Sequence, residues 1–447
     1  MKNILIILTL WSLHFACNAQ NQKDYQALLE NYYVSGPGYA AIITRDGVTE
    51  FHGAIGLADI ENKVELKPEH VFRLGSITKQ FTAVAILQLM EQGKIRLDDD
   101  ITTYISDYPT DGNKICISHL LNHTSGIKSY TNMESWDEEL RKQDLTVDEI
   151  IAYFKNEPMD FNPGDQFRYN NSGYILLGKI IEIASGKTYE QYVEEEFFKP
   201  LGMKDTYYGR NSEIINDRAR GYQADESGEY INAPYLSMSQ PYAAGSIIST
   251  THDLSIWNQA VFNYELVTKE SLALAHTSTI LNSGEEVPYG FGWRFNRLKG
   301  SHAINHGGGI NGFSTHAAYF PEEKVFVAVL SNCTSNDPSF LMRQLGSLAI
   351  GKPMEMPNSV LIDQALLDSY TGSYQLGPDF LIKITSQEGK LFAQATGQSI
   401  LPLIPVSDDR FKAPQVDAEL RFIQKDGKVE SLMLFQNGEH IAKKIVD

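Results

Sequence analysis

Cysteine is scarce in this chain of 447 residues: there are three, at positions 17, 116 and 333. Such a number cannot build the disulfide framework of a small secreted scaffold, and a chain this long does not need one to hold a core. No structural disulfide is expected. Positive charge is also short. Lys and Arg total 38 against 56 Asp and Glu, a net charge of −18, and the basic residues form no cluster. A protein that neutralises nucleic-acid phosphates needs a basic stripe, so a nucleic-acid partner is excluded. Long apolar runs are missing as well. After the stretch Ile4 to Leu10 no segment approaches the roughly 18 residues that a membrane-spanning helix requires, so no integral membrane segment is expected beyond it. Tandem repeats and low-complexity tracts are absent. What remains is ordinary globular composition, 42% hydrophobic and 21% charged, with length enough for two or three domains.

The first residues, Met1-Lys2-Asn3 followed by a short apolar run and Cys17-Asn18-Ala19-Gln20, have the form of a secretory signal peptide over residues 1–19. Small residues at −3 and −1 place the cut after Ala19, which puts the mature chain in the periplasm or outside the cell. The rival reading, lipidation at Cys17, is disfavoured by the bulky approach His14-Phe15-Ala16.

Tyr39 to Gly53 alternates around Arg45-Asp46-Gly47, a hairpin signal. Ser76 to Gly93 reads as a largely buried helix, and residues 97–240 as a mostly helical stretch punctuated by Pro163-Gly164 and Pro200-Leu201-Gly202. Strand patterns return at Ala317 to Phe320 and Val325 to Leu330, then a helix near Phe340 to Ile350. Strands, a helical insert, strands and a last helix predict an α/β (α+β) domain with an all-α subdomain set into it, over residues 22–352. The proline-rich break Gly351 to Pro357 acts as a linker. Short strands divided by Gln387-Glu388-Gly389-Lys390, Lys425-Asp426-Gly427-Lys428 and Asn437-Gly438 predict a small antiparallel sheet or barrel over residues 360–447.

Several motifs have chemical potential, and each has a plain structural reading beside it. Ser76-Ile77-Thr78-Lys79 puts a hydroxyl and an amine one helical turn apart, where a lysine deprived of water can activate the serine. The pattern is cheap, for it recurs at Ser125-Gly126-Ile127-Lys128. Context favours Ser76, which opens an apolar helix, over Ser125, which lies in a turn. Tyr-x-Asn occurs at Tyr130/Asn132, Tyr169/Asn171 and Tyr230/Asn232; the second leads straight into an apolar helix, which Asn171 or Ser172 would equally serve to cap. His306-Gly307-Gly308-Gly309 precedes a strand pair, and its glycines either leave N–H groups open to a ligand or simply form a flexible hairpin. No Gly-x-Ser-x-Gly elbow accompanies it, which rejects a lipase-type fold. His119/His123 lacks the glutamate and third ligand of a zinc helix, Gly186-Lys187-Thr188 lacks the first glycine of a phosphate loop, and Lys425-Asp426-Gly427 lies in a charged turn.

In order along the chain, Ser76…Lys79, Tyr169…Asn171 and His306…Gly308 resemble the serine β-lactamase and penicillin-binding-protein superfamily, especially its class C-like branch. The similarity extends through Phe72 to Phe81, His119 to Ile127 and Pro241-Tyr242-Ala243-Ala244-Gly245, and covers roughly residues 25 to 350. The tail is similar to the lipocalin-like β module that follows the hydrolase domain in some members. The resemblance implies an antiparallel sheet packed by helices beside an all-helical subdomain. It also implies a serine hydrolase with no metal or organic cofactor, acting on a small-molecule or peptide substrate. Carried over by position, Ser76 is the acylated nucleophile, Lys79 its deprotonating or proton-shuttling neighbour, and Tyr169 the general base for acylation that later activates the deacylating water. Asn171 would bond Lys79 and the substrate amide, and the N–H groups of Ser76 and Gly309 would form the oxyanion hole. The departure is His306, with Gly307 after it, where many members have Lys-Thr-Gly. Histidine is mostly neutral near pH 7, which weakens the anchor for a substrate carboxylate beside Gly308. The expectation is therefore a peptidase or esterase acting on D-amino-acid peptides or small acyl esters, with a β-lactamase or a non-catalytic penicillin-binding sensor as alternatives.

Overall fold

The computed structural model describes residues 22–445 apart from 226, 355–358, 379, 388, 397, 399, 417, 426–427 and 437. The leader reading with Ala19 and Cys17, part of the proline-rich linker, and the turn residues Glu388, Asp426, Gly427 and Asn437 lie outside the described residues. Among the described residues no helix is long and apolar enough to cross a membrane. Cys116 and Cys333 are free thiols.

The hydrolase-like part is built on one antiparallel sheet. Its strands are β1 (Tyr39–Arg45), β2 (Val48–Ile55), β3 (Arg294–Leu298), β4 (Ser301–Ile310), β5 (Phe313–Phe320) and β6 (Val325–Ser331), in the order β3-β4-β5-β6-β1-β2. The hairpin at Asp46-Gly47 forms as expected, with φ of 49° and 79° at its two turn residues, the sign that a tight two-residue turn demands. Both faces of the middle strands are buried, because successive side chains point to opposite sides. Ala40 and Ile42 of β1, with Phe326, Ala328 and Leu330 of β6, face the large core shared with the helical subdomain. Ala41, Ile43, Val325, Val327 and Val329 face a second core. Helix α1 (22–32), through Tyr25 and Leu29, and helix α4 (Ser339–Ala349), through Leu341 and Leu345, close that second core.

The helical subdomain packs on the opposite face. Helix α2 (Thr78–Glu91) is buried on nearly every side, from Phe81 and Val84 to Leu87 and Leu89, so it sits inside the subdomain rather than on it. It begins later than its sequence suggested: Gly75–Ile77 forms a 3₁₀ turn, so Ser76 lies on the turn that feeds the helix. Helix α3 (Asn171–Ser185) packs beside α2 and ends at Gly186, whose φ of 75° is the left-handed stop that glycine tolerates.

The C-terminal part is a closed antiparallel barrel of eight strands, from Gly372–Gly377 round to Glu439–Ile445, which pairs back onto the first. Closure removes the exposed edges an open sheet would leave. Tyr370, Tyr374, Phe411 and Phe422 fill its centre, with Tyr370 and Phe422 stacked at 4.1 Å.

Candidate active site

Ser76, Lys79, Tyr169, Asn171 and Gly309 arrive from three different parts of the chain. The short strand Phe72–Arg73 pairs with Ile247–Ser249 and delivers the chain into the Gly75–Ile77 turn. One helical turn on, Lys79 points back with its amine 3.1 Å from Ser76 Oγ. Asn171 is the first residue of α3. The cap of that helix is Asn170, whose side chain accepts from Gly173 N–H at 2.9 Å. The sequence reading assigned the cap to Asn171 or Ser172. Because Asn170 takes it, the side chain of Asn171 is released: its Oδ1 accepts from Lys79 at 2.8 Å and its Nδ2 donates to Thr131 Oγ1 at 3.0 Å.

Lys79 is completely buried, and its third partner is the carbonyl of Ala244 at 2.9 Å. Sequence reasoning quoted Pro241 to Gly245 as part of the resemblance but gave it no task; the task is this carbonyl. Burial, and then the cation of Arg294, drive the Lys79 pKa well below its ordinary 10.5. The amine is thereby biased toward its neutral form, with two N–H bonds on Asn171 and Ala244 and a lone pair left for the Ser76 hydroxyl.

Tyr169 closes the group from above α2, with the Lys79 amine 4.9 Å from its ring centre. Its hydroxyl is buried and, among the described residues, meets no partner within hydrogen-bond limits, though Ser76 lies close enough to act on it. Burial raises its pKa far above 10, outweighing the lowering by Ser76 and Arg294 beside it, so it is a neutral phenol at neutral pH.

His306 behaves differently from the carboxylate anchor expected of it. It lies within strand β4, not in a flexible hairpin, and is 2% exposed. Its Nδ1 lies 2.6 Å from the Gly307 carbonyl and its Nε2 3.1 Å from Tyr289 OH, which in turn lies 3.0 Å from His123 Nε2. His123 Nδ1 accepts from Asn170 N–H at 3.2 Å. A carbonyl can only accept and an amide N–H can only donate, so the protons run one way: His123 donates to Tyr289, Tyr289 to His306 and His306 to Gly307. Both histidines are neutral. Burial, then Lys79, lower His306 to about 3, and burial lowers His123 well below 6.5. This relay braces β4 against the loop before α3 and leaves no ring nitrogen of His306 for a substrate.

The glycines after it have separate uses. A Cβ on Gly308 would lie 2.0 Å from the Leu74 carbonyl and 2.4 Å from Thr315 Oγ1, so the approach of β4 to the segment carrying Ser76 requires glycine there. Gly308→Ala is expected to destabilise the fold by about 3 kcal/mol or more and to abolish turnover, as read by thermal melting and any activity assay. At Gly309 a Cβ would meet nothing within 4 Å, so that residue borders open space, and its N–H lies against Gly75.

The charge missing at 306 is present at Arg294, the first residue of β3, which pairs with Asn305. Its guanidinium is 5.6 Å from the Tyr169 ring and 5.7 Å from that of Tyr289. It is exposed and, among the described residues, forms no ion pair. Nothing in the local sequence singles it out; its register opposite Asn305, next to His306, places it here.

Lys128 of the second Ser-x-x-Lys pairs with Asp160 at 2.6 Å, away from Ser125. His119 accepts from Cys116 N–H, and no group of three or more His, Cys, Asp or Glu side chains among the described residues is arranged to hold a metal.

A fully buried lysine 3.1 Å from a serine hydroxyl, set between an antiparallel sheet and a helical subdomain, defines a serine hydrolase of the β-lactamase type. The family model described as Beta-lactamase matches residues 26–349, and the chain belongs to that family. A second model, a domain of unknown function termed DUF3471, matches residues 357–444. Over 443 residues the chain is 29% identical to penicillin-binding protein 4* of Bacillus subtilis, covering 93% of this chain and 96% of that protein. The solved octameric penicillin-binding protein homologue from Pyrococcus abyssi superposes with a TM-score of 0.67 at 27% identity, covering 95% of this chain and 98% of that one. A D-stereospecific amidohydrolase from Streptomyces superposes with a TM-score of 0.63 at 29% identity, over 72% of this chain and 97% of its own.

Proposed function

We propose that the chain hydrolyses amide or ester bonds of small D-amino-acid peptides through an acyl-enzyme on Ser76. The observation that carries this reading is the amine of Lys79, fully buried, depressed in pKa and 3.1 Å from Ser76 Oγ. In acylation the Ser76 hydroxyl gives its proton to Lys79 Nζ while Oγ bonds to the substrate carbonyl carbon. The oxyanion that forms is held by the N–H groups of Ser76 and Gly309, as donors fixed by the fold would stabilise such a charge. The tetrahedral species collapses, the C–N or C–O bond breaks, and the leaving amine or alcohol takes a proton from Tyr169 OH, which recovers one from Lys79. Water then enters, loses a proton along the same path, and releases the acid from Ser76. Lys79 as first acceptor is one of the two roles implied by the resemblance, while Tyr169, a neutral phenol, acts as the relay rather than as the general base.

Arg294 supports a substrate with a free carboxylate, because it is an exposed, unpaired cation beside the Tyr169 ring. The D-stereospecific relative lends the same class. Arg294→Gln is expected to raise KM about ten- to a hundredfold for peptides ending in a carboxylate and to change it little for the matching methyl esters. Equal effects on both would remove Arg294 as the anchor.

The whole reading is tested by treating the protein and its Ser76→Ala variant with a fluorophosphonate and measuring intact mass, followed by panels of D-alanyl peptides, D-amino-acid amides, short acyl esters and a chromogenic cephalosporin. A single adduct on the parent alone is expected. Absence of an adduct on folded protein would favour a binding module, and fast cephalosporin hydrolysis would favour a β-lactamase. The leader reading at residues 1–19 belongs to the same proposal, which places this hydrolase outside the cytoplasm.

A further inference from the structure

A cavity of about 290 Å³, bordered by Phe72, Ile248 and Phe313, contains none of the proposed catalytic side chains. Four arginines line it, Arg73, Arg210, Arg218 and Arg220, in a chain whose net charge is −18. Two are neutralised: Arg210 pairs with Glu190, and Arg220 with Glu61 at 3.1 Å and Asp59 at 3.7 Å. The other two form no ion pair among the described residues. Arg73 makes a long bond to the Asn311 carbonyl at 3.4 Å and stands 5.8 Å from the Phe313 ring. Arg218 donates to the Arg210 carbonyl at 3.1 Å. Each guanidinium has five N–H donors, so most are unspent. Burial first, then Arg218, lower the Arg73 pKa to about 10, still charged at neutral pH. Arg218 is likewise lowered by burial, and Glu213 is the one carboxylate acting on it.

Arg73 is half-buried and Arg218 exposed, with Glu213 the one carboxylate acting on Arg218, so an anion bound in the recess would offset the repulsion between the two cations. Planar guanidinium forks match the paired oxygens of carboxylate or phosphate groups. The volume is close to the lower limit for small-molecule pockets. We propose that Arg73 and Arg218 form a binding site for the carboxylate or phosphate group of a small molecule, separate from the Ser76 cleft.

The test is calorimetric titration of the full chain at constant ionic strength with inorganic phosphate in one arm and succinate in the other. Saturable binding in either arm, weakened about tenfold or more in Arg218→Gln and in Arg73→Gln, is the expected result, and the tighter arm identifies the group. Arg297→Gln, an exposed arginine outside the cavity lining, is the control and should bind as the parent does. Thermal melting checks that each variant is folded, and Arg218, exposed on one side, is the variant least able to disturb the core. No saturable binding in either arm overturns the proposal. So does unchanged binding in folded Arg218→Gln, or loss of binding in Arg297→Gln.

Discussion

Ser76→Ala is expected to lower kcat/KM by at least about ten-thousandfold and to eliminate covalent labelling, while the protein melts within a few degrees of the parent. The reason is geometric. Ser76 Oγ lies 3.1 Å from the Lys79 amine and faces its lone pair, and Thr131, whose hydroxyl is engaged with Asn171, cannot replace it. Stability should barely change. Lys79 keeps Asn171 and Ala244, and one lost bond to a half-buried hydroxyl costs about 1 kcal/mol. Steady-state assays and intact mass on the same preparation read both halves of the prediction. Parent-like turnover in the variant would end the acyl-enzyme reading.

Lys79→Met carries the second large effect. General-base loss alone is worth about a hundred- to ten-thousandfold in acylation rate, and the fold should pay as well, because Asn171 Oδ1 and the Ala244 carbonyl lose their donor in a dry site. The pH dependence is the sharper test. The folded-state pKa of Lys79 lies well below 10.5, so between that value and 10.5 the unfolded chain binds a proton that the folded chain does not. Stability therefore rises with pH across that window and falls as pH is lowered through it. The Lys79→Met protein should lack this component, seen as a difference between the two melting-temperature profiles. The same shift sets the ascending limb of log kcat/KM well below pH 10.5. Arg294 is the second cause of the shift, so Arg294→Gln should move that limb to higher pH. A limb unmoved by this change would show that Lys79 is not the titrating base.

Legibility along the chain followed the range of the interactions involved. The β1–β2 hairpin, the buried helix after Ser76, the all-β tail and the Ser-x-x-Lys pair were readable because each is set by neighbours in sequence: an Asp-Gly turn, an apolar helical run, one helical turn between Ser76 and Lys79. The resemblance then linked Tyr169, Asn171 and Gly308 to that pair. Harder features depended on distant partners. Asn171 looked like a cap until Asn170 proved to hold Gly173. The His306 to Gly309 segment looked like a loose turn, yet it is the interior of a strand, because Thr315, Leu74 and Tyr289 engage it from three directions.

Composition and local pattern alone thus determined the broad class of fold and the serine-lysine pair at the heart of the site, since hydrophobic pattern and helical spacing need no third dimension. Only the tertiary structure decided the states and tasks of those groups. Burial lowers the Lys79 pKa and holds Tyr169 as a phenol, and the packing turns His306 into an internal brace and brings Arg294 beside the cleft. Desolvation and Coulomb interactions depend on distances in space, and residues 79, 169, 294 and 306 become neighbours when the helical subdomain closes on the sheet.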